Sequence, residues 1–120
     1  MQQENNFTAQ LYVFGSCLVK SNFNDIDILI VYNRNQILPQ YANQLFRPLI
    51  DNLQSDLAFP LHVIILSQDE EKEVLFVKES NACFVANVAI NNIEQEIATK
   101  MKKLIYESKP PAELVVCTVP

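Results

Sequence analysis

Asp25 and Asp27 flank one isoleucine at the head of the apolar run Ile26 to Tyr32, and upstream, after Leu11-Tyr12-Val13-Phe14, stands the single glycine of the chain, Gly15, followed by Ser16. In an extended segment successive side chains alternate in direction, so the two carboxylates share one face and Ile26 and Ile28 share the other. Like charges held side by side repel. A divalent cation is the simplest compensation, since Mg²⁺ accepts one or two carboxylates and fills its other positions with water or substrate phosphate. Average usage, about 7%, would give a chain of this length roughly eight glycines. One placed after a strand can turn sharply and leave backbone N–H groups open to a phosphate, to which Ser16 adds a hydroxyl donor. A phosphate seat next to a carboxylate pair is the layout of metal-assisted phosphoryl chemistry. The plain alternatives are a strand-ending turn at Gly15-Ser16 and a loop closed by Asn24 and Asp25 through Asx-type bonding.

These residues need strands to hold them. Leu11 to Phe14, rich in β-formers, and Asp27 to Tyr32, almost continuous Ile, Leu and Val, are expected as strands, the second of them central. Apolar residues from Ile37 to Leu57 follow a helical stripe, in which Pro48 predicts either a bend or the start of a second helix. Pro60 precedes a third strand, Leu61 to Leu66. Ser67 with Asp69, Glu70 and Glu71 is a helix start, and that helix is expected to run through Val74, Leu75, Phe76 and Val77 to Ser80 or Asn81. A fourth strand over Ala82 to Ile90, a helix over Asn92 to Tyr106 with Ile93, Ile97, Met101, Leu104 and Ile105 on one face, and a short final strand over Leu114 to Val119 complete the reading. Strands alternating with helices imply an α/β (α+β) domain, a mixed sheet with helices packed on it.

Composition narrows the classes. The 120 residues are expected to form one domain, 1–120, and an apolar share of 49% against 19% charged residues is that of a folded chain. A net charge of −5 argues against direct binding to a nucleic-acid backbone, which depends on clustered Lys and Arg. The longest apolar runs are too short to cross a bilayer, and the opening MQQENNFTAQ lacks a secretory pattern, so no membrane association and a cytoplasmic location are expected. Cys17, Cys83 and Cys117 have no paired spacing and a single histidine to share, and are expected as reduced thiols.

Phe14-Gly15-Ser16, the spacer Cys17 to Asn24, and Asp25-Ile26-Asp27-Ile28 together resemble the signature of the polymerase-beta-type nucleotidyltransferase superfamily, in particular its minimal (MNT-type) single-domain members. The resemblance extends through the next helix and strand to about Leu66, and more loosely to Ser80. It implies a polymerase-beta-like fold in which Gly15 and Ser16 hold a nucleoside triphosphate, Asp25 and Asp27 bind Mg²⁺ or Mn²⁺, and a nucleoside monophosphate moves to a hydroxyl acceptor with loss of pyrophosphate. Lys20 in the spacer is a candidate for steadying a phosphate, although it matches no fixed family position. The family places a third carboxylate in the strand after the helix. This chain has His62 there, which makes Asp25, Asp27 and His62 the candidate catalytic set. A neutral imidazole ligates a transition metal or accepts a proton, but it is a poor Mg²⁺ ligand; as a lone histidine in an apolar strand, His62 also reads as a partly buried structural residue.

Members of this size are often antitoxin-like partners of helical HEPN-type proteins, some of which they modify with AMP. Two expectations follow from different classes. One is a nucleotide- and metal-binding protein that transfers the nucleotide to a partner protein. The other is a catalytically inactive antitoxin or immunity-type protein that neutralises a toxin by contact, for which an acidic surface suits a basic target.

Overall fold

Alternation of small and large apolar residues sets the first strand, and it starts earlier than the run from Leu11. The computed structural model describes residues 8–89 and 96–107. Strand β1 spans Thr8–Phe14, with Ala9, Leu11 and Val13 buried and Gln10, Tyr12 and Phe14 on the other face. A short 3-10 turn, Ser16–Leu18, leads towards β2, Ile26–Tyr32, in which every residue except Asp27 is buried. Such a strand needs cover on both faces and a neighbour on each side. It has them: the sheet order is β3-β2-β1-β4.

β1 is antiparallel to both β2 and β4, whereas β2 and β3, Leu61–Ser67, run parallel. A parallel pair requires a crossover, and helix α1, Pro39–Leu57, supplies it. The domain is therefore α+β, a mixed four-stranded sheet with helices. Helix α1 buries Ala42, Phe46, Leu49, Ile50, Leu53 and Leu57, which is the later part of the stripe read from the sequence, whereas Leu38 and Tyr41 at its start are exposed. Pro48 neither ends it nor opens a second helix. The carbonyl that loses its partner to the proline is that of Gln44, and both residues are exposed, so the missing bond falls on the solvent side of the helix. Pro39 takes the first-turn position instead.

Ser67 caps the next helix as expected: its Oγ accepts the Glu70 N–H at 3.2 Å, and the Glu70 carboxylate accepts the Ser67 N–H at 2.8 Å. This capping box is worth about 1 kcal/mol. The helix does not run on to Ser80. It breaks into α2, Gln68–Val74, and α3, Phe76–Ser80, because Leu75 adopts a left-handed conformation at φ 53°. The acidic run assists the break, since the Glu71 carboxylate accepts the Val77 N–H at 3.0 Å and so caps the start of α3. Asn81, at φ 55°, ends α3 in the stop role expected of it.

β4 spans Cys83–Ala89, and α4, Glu96–Glu107, buries Ile97, Ala98, Met101 and Ile105. The expected strand at Leu114 to Val119 and Ile93 of the last stripe lie outside the described residues. Two helices, α1 and α4, meet each other over one face of the sheet, where Phe46, Leu49, Leu53, Met101 and Ile105 close on Leu11, Val13, Ile28 and Ile30. Each such side chain contributes roughly 1.5–3 kcal/mol on burial. The other face is covered by the short pair α2 and α3; Phe76 meets Phe14 edge to face with ring centres 5.0 Å apart. Phe14 pairs with Asp27, so this contact lies at the sheet end that carries the carboxylate. Among the described residues Cys17 and Cys83 form no disulfide, and no helix is long and apolar enough to cross a membrane.

Candidate functional site

The parallel pairing of β2 with β3 sets Asp27 directly beside His62. Neighbours in register point to the same face, so the imidazole reaches the carboxylate: His62 Nδ1 lies 3.4 Å from Asp27 Oδ1. Asp25 lies two residues back, one residue before the start of β2. One ligand atom from each of Asp25, Asp27 and His62 can be chosen so that all lie within 4.8 Å of one another. Ile26 and Ile28 between them are buried on the opposite face, as the alternation requires.

The start of β2 is pinned by contacts that the motif does not include. The Ile26 N–H donates to the Pro60 carbonyl at 3.0 Å, and the Leu61 N–H donates to Gln54 Oε1 at 3.0 Å. Phe23 in the spacer packs on Phe59, with ring centres 4.9 Å apart. Together these tie the segment carrying Asp25 to the turn between α1 and β3. Sequence reasoning passes over Phe23, Phe59 and Pro60 as site-forming residues. The available signal is an aromatic residue inside the otherwise polar Ser21-Asn22-Phe23-Asn24.

Gly15 follows the last residue of β1, and Phe14 pairs with Asp27 in the antiparallel ladder. Its backbone, at φ 90° and ψ −161°, lies in a region essentially reserved for glycine. A Cβ there would overlap Asp27 Oδ2 and stand 3.1 Å from its Cγ. The glycine is thus required twice, by its own dihedrals and by the carboxylate lying against it. Composition and spacing suggest bare backbone for a phosphate; the contact that fills this space is the side chain of Asp27.

Ser16 begins the 3-10 turn, in which the Leu18 N–H donates to the Gly15 carbonyl at 3.1 Å and the Lys20 N–H to the Ser16 carbonyl at 2.8 Å. The turn brings Gly15 and Ser16 to the corner that holds Asp25 and Asp27. Lys20 is exposed at the far end of the turn and makes no ion pair among the described residues.

Burial pushes the Asp27 carboxyl above its ordinary 3.8, and the negative charge of Asp25 adds to the rise; His62 acts against both. Asp27 has 22% of its side chain exposed, whereas His62 is exposed over 81%. A half-buried carboxylate with another beside it favours any cation that can enter. The corner opens on a cleft of about 280 Å³ lined by Phe14, Asp27, His62, Val63 and Ile64. The imidazole contradicts the alternative of a partly buried structural histidine: it projects from an edge strand into solvent beside the carboxylates.

The two carboxylates suit Mg²⁺ or Mn²⁺, and the imidazole suits a softer ion. Comparison with protein-family models, with curated proteins and with solved structures gives no match.

Proposed function

We propose that the chain is a minimal nucleotidyltransferase-like domain that binds a nucleoside triphosphate through a divalent cation at Asp25 and Asp27. The observation that carries this reading is the meeting of Gly15 with Asp27. Gly15, at the end of β1, and Asp27, in β2, belong to the two halves of the sequence signature, and the glycine lies directly against the Asp27 carboxylate. The reading is supported further by β3, which follows the intervening helix and carries His62 beside Asp27, in the strand where the family has its third carboxylate. The mixed sheet with its parallel β2–β3 crossover is consistent with a polymerase-beta-like fold.

On this reading Asp25 and Asp27 hold the ion, Gly15 makes room for the Asp27 carboxylate, the Ser16 hydroxyl would donate to the triphosphate, and Lys20 is an accessory cation at the far end of the turn. The bound ion would neutralise charge on the triphosphate oxygens. In the transfer reaction an acceptor hydroxyl oxygen bonds to the α-phosphorus, the bond from that phosphorus to the pyrophosphate oxygen breaks, and the hydroxyl proton passes to a base. The acceptor would be a hydroxyl on a partner protein, of which an HEPN-type toxin is one kind.

A second reading keeps the site and drops the turnover. It is favoured by His62: the third position has an imidazole in place of a carboxylate, which adds no negative charge and is a poor Mg²⁺ ligand. The chain would then be an antitoxin or immunity-type binding protein, whose charge of −5 suits a basic target.

The test is thermal. ATP, GTP, CTP or UTP at about 100 times its dissociation constant, with Mg²⁺ or Mn²⁺, stabilises a binding native state by about 2.7 kcal/mol. At least one should raise the melting temperature of the wild type and leave Asp25→Asn/Asp27→Asn unmoved. No shift with any of the four rejects the nucleotide site.

A further inference from the structure

From the ligand set at the β1–β2–β3 corner we infer that this site is selective for a nitrogen-accepting transition ion of the zinc and cobalt class, and discriminates against Mg²⁺. The inference rests on the metal-site reading above and concerns which ion that site takes.

Three observations lead to it. The third ligand position is an imidazole held by strand register, with His62 directly opposite Asp27 in the parallel pair. Imidazole nitrogen suits Zn²⁺, Co²⁺ and Ni²⁺, whereas Mg²⁺ demands oxygen ligands in near-octahedral array and dehydrates reluctantly. The second observation is a distance. His62 Nδ1 and Asp27 Oδ1 are 3.4 Å apart, beyond the usual hydrogen-bond length. The His62–Asp27 pair is close enough for one ion to bind both atoms.

The third observation is the number and placement of ligands. Asp25, Asp27 and His62 offer one atom each within a 4.8 Å group. β2 and β3 carry Asp27 and His62 on one face, and Asp25 stands one residue before the start of β2. Three protein ligands with the remaining position open to solvent is the arrangement of reactive rather than structural zinc sites, and the open position is where a phosphate oxygen would bind. The same sheet end carries Gly15, whose lack of a side chain leaves room for the Asp27 carboxylate, so the ligand set is positioned by backbone on two sides.

Titration calorimetry of the chelator-stripped full chain with ZnCl₂, CoCl₂ and MgCl₂ separately tests this, with the visible absorption of the Co²⁺ form as a second readout. The expected result is Zn²⁺ and Co²⁺ bound at least about tenfold more tightly than Mg²⁺, equivalent to ~1.4 kcal/mol. The cobalt spectrum should have the intense bands of a four-coordinate ion. His62→Ala should weaken Zn²⁺ by at least the same factor without weakening Mg²⁺. His62→Asp should move the preference towards Mg²⁺. Because His62 is exposed, both variants should fold, and their melting curves check this directly.

Mg²⁺ bound as tightly as Zn²⁺ by the wild type, or Zn²⁺ affinity unchanged in His62→Ala, overturns the inference. The underlying reading fails differently. Magnesium nucleotide that binds wild type and not Asp25→Asn/Asp27→Asn, with no zinc preference, leaves that reading standing and removes only the inference. No divalent ion bound by the wild type removes the metal site altogether.

Discussion

The groove between β4 and α4 has a volume of about 440 Å³ and is lined by Phe84, Val85, Lys100, Lys103, Leu104 and Glu107, whereas the corner at Asp27 encloses about 280 Å³. Volume and apolar lining would favour the first as a ligand site. The origin of the polar groups decides otherwise. Lys100, Lys103 and Glu107 come from one helix at spacings of three and four residues, which is how any solvated helix face arranges its charges. At the corner, Gly15, the Asp25–Asp27 pair and His62 come from three separate segments, and the sheet brings them together at a cost. Gly15 adopts a glycine-only conformation, and Asp27 is a carboxylate half out of water beside another. Strain and desolvation maintained by long-range contacts point to function more strongly than a large groove does.

The sharpest way to break the comparison is Gly15→Ala. The unfavourable dihedrals cost about 1–3 kcal/mol, and the new Cβ must also displace the Asp27 carboxylate. The melting temperature should fall by roughly 4 °C or more per kcal/mol. Shortening the opposing side chain in Gly15→Ala/Asp27→Ala should recover part of this loss. A single variant that melts like the wild type would show that the corner holds no strain. Next comes Phe23→Ala, which removes the ring pair with Phe59. The pair is worth about 0.5–1.5 kcal/mol beyond its buried area, and the loosened spacer should weaken cation affinity as well.

Asp27→Asn should act in the opposite direction. The folded state holds the Asp27 carboxyl above its ordinary 3.8, so its contribution to stability is complete below that value and is lost as the pH rises through the raised one. In the presence of a chelator, Asp27→Asn should therefore melt above the wild type at pH 7, and the gain should vanish below about pH 3.8. A variant that is less stable at pH 7 would mean that the carboxylate is already well paired without a cation. The smallest effect is expected from Lys100→Gln/Lys103→Gln in the groove. Stability should change by less than about 0.5 kcal/mol, and nucleotide and cation binding should not change. Loss of nucleotide binding there would move the site to the groove.

Local features are legible in the sequence, and the joints between segments are not. The continuous apolar run indicates a central strand, which is what β2 is; it begins at Ile26, so Asp27 lies in the strand and Asp25 just before it. Ser67 and Asn81 announce their cap and stop because capping is local chemistry. The break at Leu75 is hidden, since nothing in leucine favours a left-handed backbone; the Glu71 carboxylate that caps α3 across the break is six residues from Val77. Pro48 leaves a bend and a second helix both open in the sequence, and the structure removes the second, because α1 runs on through it. For the site, residue types and spacing indicate Gly15, Asp25, Asp27 and the position of His62. The reason for the glycine is not legible, because it is a contact between two strands, and neither is the anchoring of the spacer by Phe59 and Pro60.

The central claim is that the Asp25–Asp27 corner, and not the larger groove, binds a metal–nucleotide complex. Isothermal titration of the wild type with ATP and Mn²⁺, repeated on Asp25→Asn/Asp27→Asn, tests it most directly. Saturable heat is expected in the wild type and none in the folded double variant. Equal binding by both proteins would contradict the claim.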